Sequence, residues 1–265
     1  MAESPDHAAV WFVSDVHLTP SRPERTARFL RFLEDRVAPA GTDLVIAGDL
    51  FDWWFGAWPP PPDVAQVIAA LEALPGAVLW MEGNHDLFVG RGLRASSPIA
   101  TSAEPVAMSR FDMTLHVAHG DMVDPAERGY RLFRGFLRGV PGRAGARLLG
   151  QRAARWLGSS AATGSRAAQG GVDGYDGLSQ GWLDAARAYA AQNDASITVL
   201  GHGHWLGWWD GLVCLGDWLR WSSYGRLDPS GLSLWQYKAG GDELLLDAPS
   251  GALDYEAVTA RGLAL

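Results

Sequence analysis

An α/β fold is predicted by three observations. Short apolar runs alternate with helix-spaced segments through the first half of the chain. Across the whole chain, five such apolar runs end in turns built from glycine, aspartate and histidine. The composition, 48% hydrophobic over 265 residues, supports one large buried core. The chain, 1–265, is therefore read as a single domain.

The elements follow in order. Ala9 to Val13 is an apolar run ending in Ser14-Asp15. Ser21 and Glu24 have the spacing of a capping box, in which each side chain satisfies an orphan amide of the other. Phe29, Leu30, Leu33 and Val37 then recur at helical spacing. Leu44 to Ala47 reads as a strand ending in Gly48-Asp49, and Val64 to Leu74 as a helix closed by Pro75-Gly76. Ala77 to Met81 is a third strand, ending in Gly83-Asn84-His85-Asp86. Pro59 to Pro62 is read as a stiff loop. In the second half, Met113 to Ala118 is a strand ending in His119-Gly120-Asp121, and Asp173 to Gln192 is a helix. Ile197 to Leu200 is a strand ending in Gly201-His202-Gly203-His204, and short tryptophan-rich segments to about Gln236 read as antiparallel strands.

Composition narrows the function classes. A charged fraction of 20% argues against disorder, and one cysteine, Cys214, rules out an internal disulfide framework and points to a reducing compartment. Met1 to Val10 lacks the apolar stretch of a signal peptide, and no run of eighteen apolar residues occurs. The expected location is therefore cytoplasmic. The net charge of −8 is uneven: Arg128 to Val172 holds nine arginines and no acid, leaving 13 basic against 30 acidic residues elsewhere. Such a block faces phosphate, nucleic acid or an anionic membrane, or is simply a solvated helical face. The acidic remainder repels nucleic acid, so no nucleic-acid partner is expected. No protein partner is evident.

The chemistry-bearing residues sit at strand ends: Asp15-x-His17, Gly48-Asp49, Gly83-Asn84-His85-Asp86, His119-Gly120-Asp121 and Gly201-His202-Gly203-His204. Ligands of α/β sheets gather outside the carboxyl ends of the strands, so the five clusters are expected on one rim. Carboxylate, imidazole and amide oxygen together suit Mn, Fe or Zn better than Ca or Mg. Two ions sharing one carboxylate can activate water and clamp phosphoryl oxygens. Singly, each motif is also an ordinary turn; the combination at five strand ends carries the metal reading. His116, inside a strand, and His7, near the terminus, are read as core and surface residues.

The order D-x-H, G-D, G-N-H-D, H-G, G-H-x-H resembles the calcineurin-like metallophosphoesterases, from about Trp11 to Trp218. The resemblance implies a four-layer αββα sandwich of two mixed sheets flanked by helices, with a helical insertion over 122–172 as a lid. It implies that Asp15, His17, Asp49 and His204 hold one divalent ion. Asp49, Asn84, His119 and His202 would hold the other, with Asp49 bridging. The ions would be Mn²⁺, with Fe or Zn as alternatives. His85 would act as acid or charge stabiliser at the scissile group, oriented by Asp86. Within that class the chain is similar to the UDP-2,3-diacylglucosamine diphosphohydrolases of lipid A synthesis. The similarity rests on Ser14-Asp15-Val16-His17-Leu18, Gly48-Asp49-Leu50-Phe51-Asp52, Tyr130, Phe133 and Arg134 after His119-Gly120-Asp121, and Leu215-Gly216-Asp217-Trp218. The best-known branch has arginine where this chain has His85.

The resemblance implies a UDP-linked lipid substrate met at the cytoplasmic face of the inner membrane. In the insertion, Tyr130, Arg131, Arg134 and Arg138 are the expected substrate contacts, the arginines pairing with a diphosphate. Leu132, Phe133, Phe136 and Leu137 either line an acyl channel or pack the insertion onto the domain. Trp53, Trp54, Trp58, Trp205, Trp208 and Trp209 either wall the pocket or fill the core. The other enzyme reading is a soluble nucleotide or protein phosphatase with the same site.

Overall fold

The computed structural model describes residues 9–56, 59–125, 134–135 and 179–246. The first strand, β1 (Val10–Val13), leads to α1 (Pro23–Phe32). That helix continues through a π-helical stretch, Leu33–Val37, and a final turn, α2 (Ala38–Ala40). Next come β2 (Asp43–Ala47), β3 (Trp54–Phe55), α3 (Pro62–Glu72), β4 (Val78–Met81) and β5 (Asp86–Leu87). After α4 (Val89–Gly92) lie β6 (Ala100–Ser102), β7 (Val106–Arg110) and β8 (Met113–Ala118). Helix α5 (Gln180–Ala190) precedes β9 (Ile197–Leu200), β10 (Leu206–Trp209) and β11 (Leu212–Leu215). The described chain ends with β12 (Ser223–Asp228), β13 (Gly231–Gln236) and β14 (Glu243–Leu246).

Two mixed sheets carry these elements. One has the order β14-β13-β12-β1-β2-β4-β6, the other β10-β11-β9-β8-β7; β3 and β5 form a separate pair. Strands β1, β2, β4 and β6 run parallel, as do β8, β9 and β11. The two-residue alternation of a strand separates three apolar layers. Trp11, Val13, Leu44 and Ile46 face Phe29, Phe32, Val67 and Leu71 of α1 and α3. Val10, Phe12, Val45 and Ala47 face the other way, against Leu115, Val117, Val199 and Val213 of the second sheet. Ala118, Leu200, Leu212 and Cys214 take Trp182, Leu183 and Ala186 of α5. Helix, sheet, sheet and helix thus stack in four layers, as expected.

Several local expectations are corrected. Ser21 and Glu24 form no capping box. Arg22 is the N-cap of α1, with no side-chain cap bond, and the helix opens on Pro23. The fixed φ of Pro23 suits the first helical position, so the helix starts one residue later than the box requires and Ser21 is left outside the N-cap. Ser21 Oγ instead lies 3.3 Å from Thr19 Oγ1. The proline run is not only a loop: Pro61 caps α3 and Pro62 starts it. In α5 the described helix begins after Ser179, whose side chain accepts from the Trp182 amide at 3.2 Å; residues 173–178 lie outside the described residues. The tryptophan-rich strands do pair antiparallel, β10 with β11 and β12 with β13, but β11 also joins β9 in parallel. Trp54 is a core residue, while Trp208, Trp205 and Trp209 pack against the cores, so packing accounts for these four. Trp58 lies outside the described residues. Among the described residues no helix is long and apolar enough to cross a membrane.

Candidate metal centre

The five motifs meet because of the sheet order. Parallel β1, β2 and β4 end side by side in Asp15, Asp49 and the 83–86 turn. Parallel β8 and β9 end in His119 and in the 201–204 turn of the facing sheet. The backbone stitches the rims together: Asp15 N donates to Gly48 O (3.2 Å), His17 N to Asp49 O (3.0 Å) and Gly201 N to His119 O (2.9 Å).

Two glycines make the approach possible. A Cβ on Gly83 would collide with the Asp49 carboxylate, and one on Gly201 with Ser14 Oγ and the Asp15 carboxylate. Asp15, His17, Asp49, His202 and His204 all hold positive φ, between 50° and 62°. That left-handed conformation costs a non-glycine residue about 1–3 kcal/mol, and such residues concentrate where function demands a set geometry.

Three donor groups emerge, each with ligand atoms within 4.8 Å of one another: Asp15, His17 and His204; Asp49, His119 and His202; and His17, Asp49 and His85. The hydrogen bonds show which atoms are spent and which are free. Asp15 Oδ2 lies 2.5 Å from Ser14 Oγ and accepts from His202 N at 2.9 Å. Its Oδ1 is buried without a hydrogen-bond partner, as are both ring nitrogens of His17. Asp15 Oδ1 lies 3.8 Å from His17 Nε2 and 3.6 Å from His204 Nε2. Asp49 Oδ1 accepts from His85 N at 2.9 Å. Its Oδ2 lies between His17 Nε2 (3.8 Å) and His119 Nε2 (3.4 Å). Asn84 Oδ1 sits 3.0 Å from His119 Nε2 and 2.9 Å from His202 Nδ1. Orphaned buried donors of this kind, oxygen and imidazole together, fit divalent ions.

The charges agree with a site shaped for cations. Burial opposes ionisation of Asp15, yet the imidazoles of His204 and His17 hold it near 2. Asp49 is likewise held well below the carboxylate range, burial being outweighed by His119 and His85. Burial also disfavours the His119 cation, but Asp49 raises it to about 10. Burial and His119 push His202 down to about 4. Without an ion, the positive charge facing Asp49 thus falls on His119.

His85 and Asp86 are placed differently from expectation. The His85 ring is held by Asp52, whose carbonyl lies 2.6 Å from Nδ1, and packs edge-on to His17 at 4.9 Å between centroids. The Asp86 carboxylate is fully buried and points away from that ring. Its Oδ1 accepts from Gly83 N (2.8 Å) and Asp49 N (3.1 Å). Its Oδ2 accepts from Leu50 N (2.8 Å) and Trp80 Nε1 (3.2 Å). Burial and the Asp49 charge raise the Asp86 acid while the Gly83 and Leu50 amides pull it down, and the four donors on its two oxygens leave no acceptor for a proton, so the geometry favours the carboxylate. Asp86 therefore braces the two turns that present Asp49 and Asn84; it does not orient His85.

Of the expected substrate contacts, Tyr130, Arg131 and Arg138 lie outside the described residues. Arg134 is buried, and its Nη1 pairs with Asp121 Oδ2 at 2.6 Å. The pair places Arg134 beside the His119 turn, with its charge met by Asp121. A cavity of about 190 Å³ lies there, lined by His119, Asp121, Arg134, Met81, Met122 and Tyr189 among others.

Two residues that the sequence reading quoted only for the resemblance, without a role, prove to be supporting residues. Asp52 holds His85, and Asp217, fully buried, lies 3.2 Å from His204 Nδ1. Gly216-Asp217 follows an apolar strand in the manner of Gly48-Asp49, and that signal was available.

Comparison with known proteins places the chain in a family. The chain is 34% identical over 126 residues to a UDP-2,3-diacylglucosamine hydrolase of Aeromonas salmonicida, covering 46% of this chain and 49% of that protein. It is 35% identical, with 46% and 50% covered, to the hydrolase of that name from Stenotrophomonas maltophilia. The chain thus spans about half the length of the curated relatives it matches. Among solved structures, Vacuolar Protein Sorting 29 from Cryptosporidium parvum aligns over 90% of this chain and 96% of its own, with a TM-score of 0.46 and 12% identity. The profile of the calcineurin-like phosphoesterases matches residues 8–221, and this chain belongs to that family.

Proposed function

We propose that the protein is a metal-dependent phosphohydrolase that cleaves a phosphoester or diphosphate bond with two divalent ions, Mn²⁺ or else Fe or Zn. The observation that carries this reading is Asp49 Oδ2, placed between His17 and His119 and flanked by two complete donor groups. Asp15, His17 and His204 would hold one ion, Asn84, His119 and His202 the other, and Asp49 both. When bound, such ions supply Lewis acidity and an activated water near neutral pH.

The chain's own groups do the rest. Burial, the largest influence, lowers His85 below its ordinary value, against the pull of the Asp49 charge. With Nδ1–H donated to the Asp52 carbonyl, Nε2 carries a hydrogen only in the imidazolium, so the ring would have to hold a proton there to serve a phosphoryl oxygen or the leaving group. Asp86 holds the Asp49 and Asn84 turns against each other, and the Arg134–Asp121 pair ties the start of the insertion to the His119 turn.

The proposed substrate is UDP-2,3-diacylglucosamine, hydrolysed to UMP and a lipid monophosphate in lipid A biosynthesis. The relatives' shared name supports it, together with the acid-free arginine block of 128–172. In this reading the insertion, 122–172, covers the site and shelters the acyl chains. Each methylene removed from water contributes about 0.8 kcal/mol, enough for two long chains to dominate binding and hold the enzyme at the cytoplasmic membrane face. The test compares turnover of the diacylated substrate with UDP-N-acetylglucosamine and p-nitrophenyl phosphate under Mn²⁺. Preference for the diacylated compound is expected. Equal turnover of the unacylated compounds would replace the lipid reading with a soluble nucleotide or protein phosphatase.

A further inference from the structure

We propose that Asp217 is the positioning residue for His204, selecting which ring nitrogen faces the ion held with Asp15 and His17; this rests on the two-metal reading above. The carboxylate is fully buried, and both of its oxygens are engaged. Oδ2 lies 3.2 Å from His204 Nδ1, and Oδ1 accepts from the Arg220 amide at 2.6 Å. An ionised carboxylate only accepts, so Nδ1 must carry the hydrogen. In the neutral ring the lone pair then resides on Nε2, the atom 3.6 Å from the orphaned Asp15 Oδ1.

The segment that carries Asp217 cannot easily drift. Trp221 N donates to Asp217 O at 3.3 Å, and Ser223 Oγ lies 2.6 Å from Leu215 O. Trp218 packs edge-on against Phe29 and Phe32, with centroids 5.2 Å apart in both cases. The Trp218 amide donates to the carbonyl of Asp15 at 3.1 Å. One turn thus grips two of the four residues proposed to hold the same ion: Asp15 by its backbone and His204 by its ring. Asp15 and His204 both hold positive φ, a conformation that needs outside restraint to persist. His119 meets a different partner at its own Nδ1, the neutral carbonyl of Ala47 at 2.9 Å. A carboxylate in that place makes an imidazole the more basic donor, and loss of such a partner typically weakens metal affinity about 10- to 100-fold.

The prediction is therefore selective. An amide at position 217 can turn its NH₂ toward Nδ1, which forces the hydrogen onto Nε2 and spoils that nitrogen as a ligand. Metal-stripped full-length chain is titrated calorimetrically with MnCl₂, as wild type, Asp217→Asn, His204→Ala and the double variant. Wild type is expected to bind two equivalents. Asp217→Asn should weaken one of them by about 10- to 100-fold and leave the other unchanged. In the His204→Ala background the same substitution should have no further effect on metal binding. Ser223→Ala, which perturbs the same turn without touching His204, should keep both affinities. The melting temperature in EDTA separates the alternatives. A purely structural Asp217 would lower it and weaken both equivalents together, and that result overturns the proposal. So does unchanged affinity in Asp217→Asn, or a full additional loss in the double variant. Fewer than two equivalents in the wild-type chain would instead overturn the two-metal reading.

Discussion

Replacing Asp86 by alanine should damage the fold before it damages the chemistry. The carboxylate serves four donors, the amides of Asp49, Leu50 and Gly83 and the indole of Trp80, at 2.8 to 3.2 Å. The carboxyl group is fully buried, so alanine leaves those donors without water to replace it. A buried donor left unpaired costs about 1–3 kcal/mol. Four of them, even with partial relaxation, come to about 4 kcal/mol or more. That is a large share of the roughly 5–15 kcal/mol that holds a domain together. The assay is urea unfolding in EDTA, so that metal linkage does not enter the comparison. The midpoint should fall steeply, and the Asp49 and Asn84 turns should lose their register. A loss below about 1 kcal/mol, with turnover abolished, would refute the bracing role and restore Asp86 as a catalytic partner of His85.

Three further outcomes follow from the same geometry. Asp49→Ala should abolish turnover and lower the content of both metals; elemental analysis that finds both ions retained would contradict the bridging placement. His85→Ala should keep both metals but lose about a hundred- to ten-thousand-fold in turnover if, as proposed, the protonated ring serves the phosphoryl or leaving oxygen through Nε2. Burial pushes the Cys214 thiol well above its ordinary value, and the residue is 1% exposed. It should therefore ignore an aromatic disulfide reagent in the native chain and react in urea; a native-state reaction at the rate of a free thiol would show that the α5 layer opens.

The strand-end motifs were legible because they combine two local signals. An apolar run of four or five residues marks a buried strand, and a glycine beside aspartate or histidine marks a tight turn that carries a ligand. Both are properties of neighbouring residues. The stripe Phe29, Leu33 and Val37 was legible for the same reason, although it runs from α1 into the π-helical stretch Leu33–Val37. The N-terminus of α1 was misread by one residue because Ser21 and Glu24 match a capping pattern, whereas Arg22 is the N-cap and Pro23 opens the helix.

What the sequence by itself determined is the inventory: an α/β chain, five strand-end turns of glycine, aspartate, asparagine and histidine, and an acid-free arginine block over 128–172 that lies largely outside the described residues. Only the tertiary structure decided how that inventory is shared out. Three turns belong to one sheet and two to the other, because β1, β2 and β4 run parallel in the first and β8 and β9 in the second. Asp86 stands next to His85 in sequence yet spends both oxygens on turns of β2 and β4, while Asp52, thirty-three positions away, holds the His85 ring. Arg134 finds Asp121, and Asp217 finds His204, across gaps that no periodicity spans. The physical reason is common to all four. A buried polar atom must find a partner, and which partner lies within 3 Å is set by the packing of the sheets, not by distance along the chain.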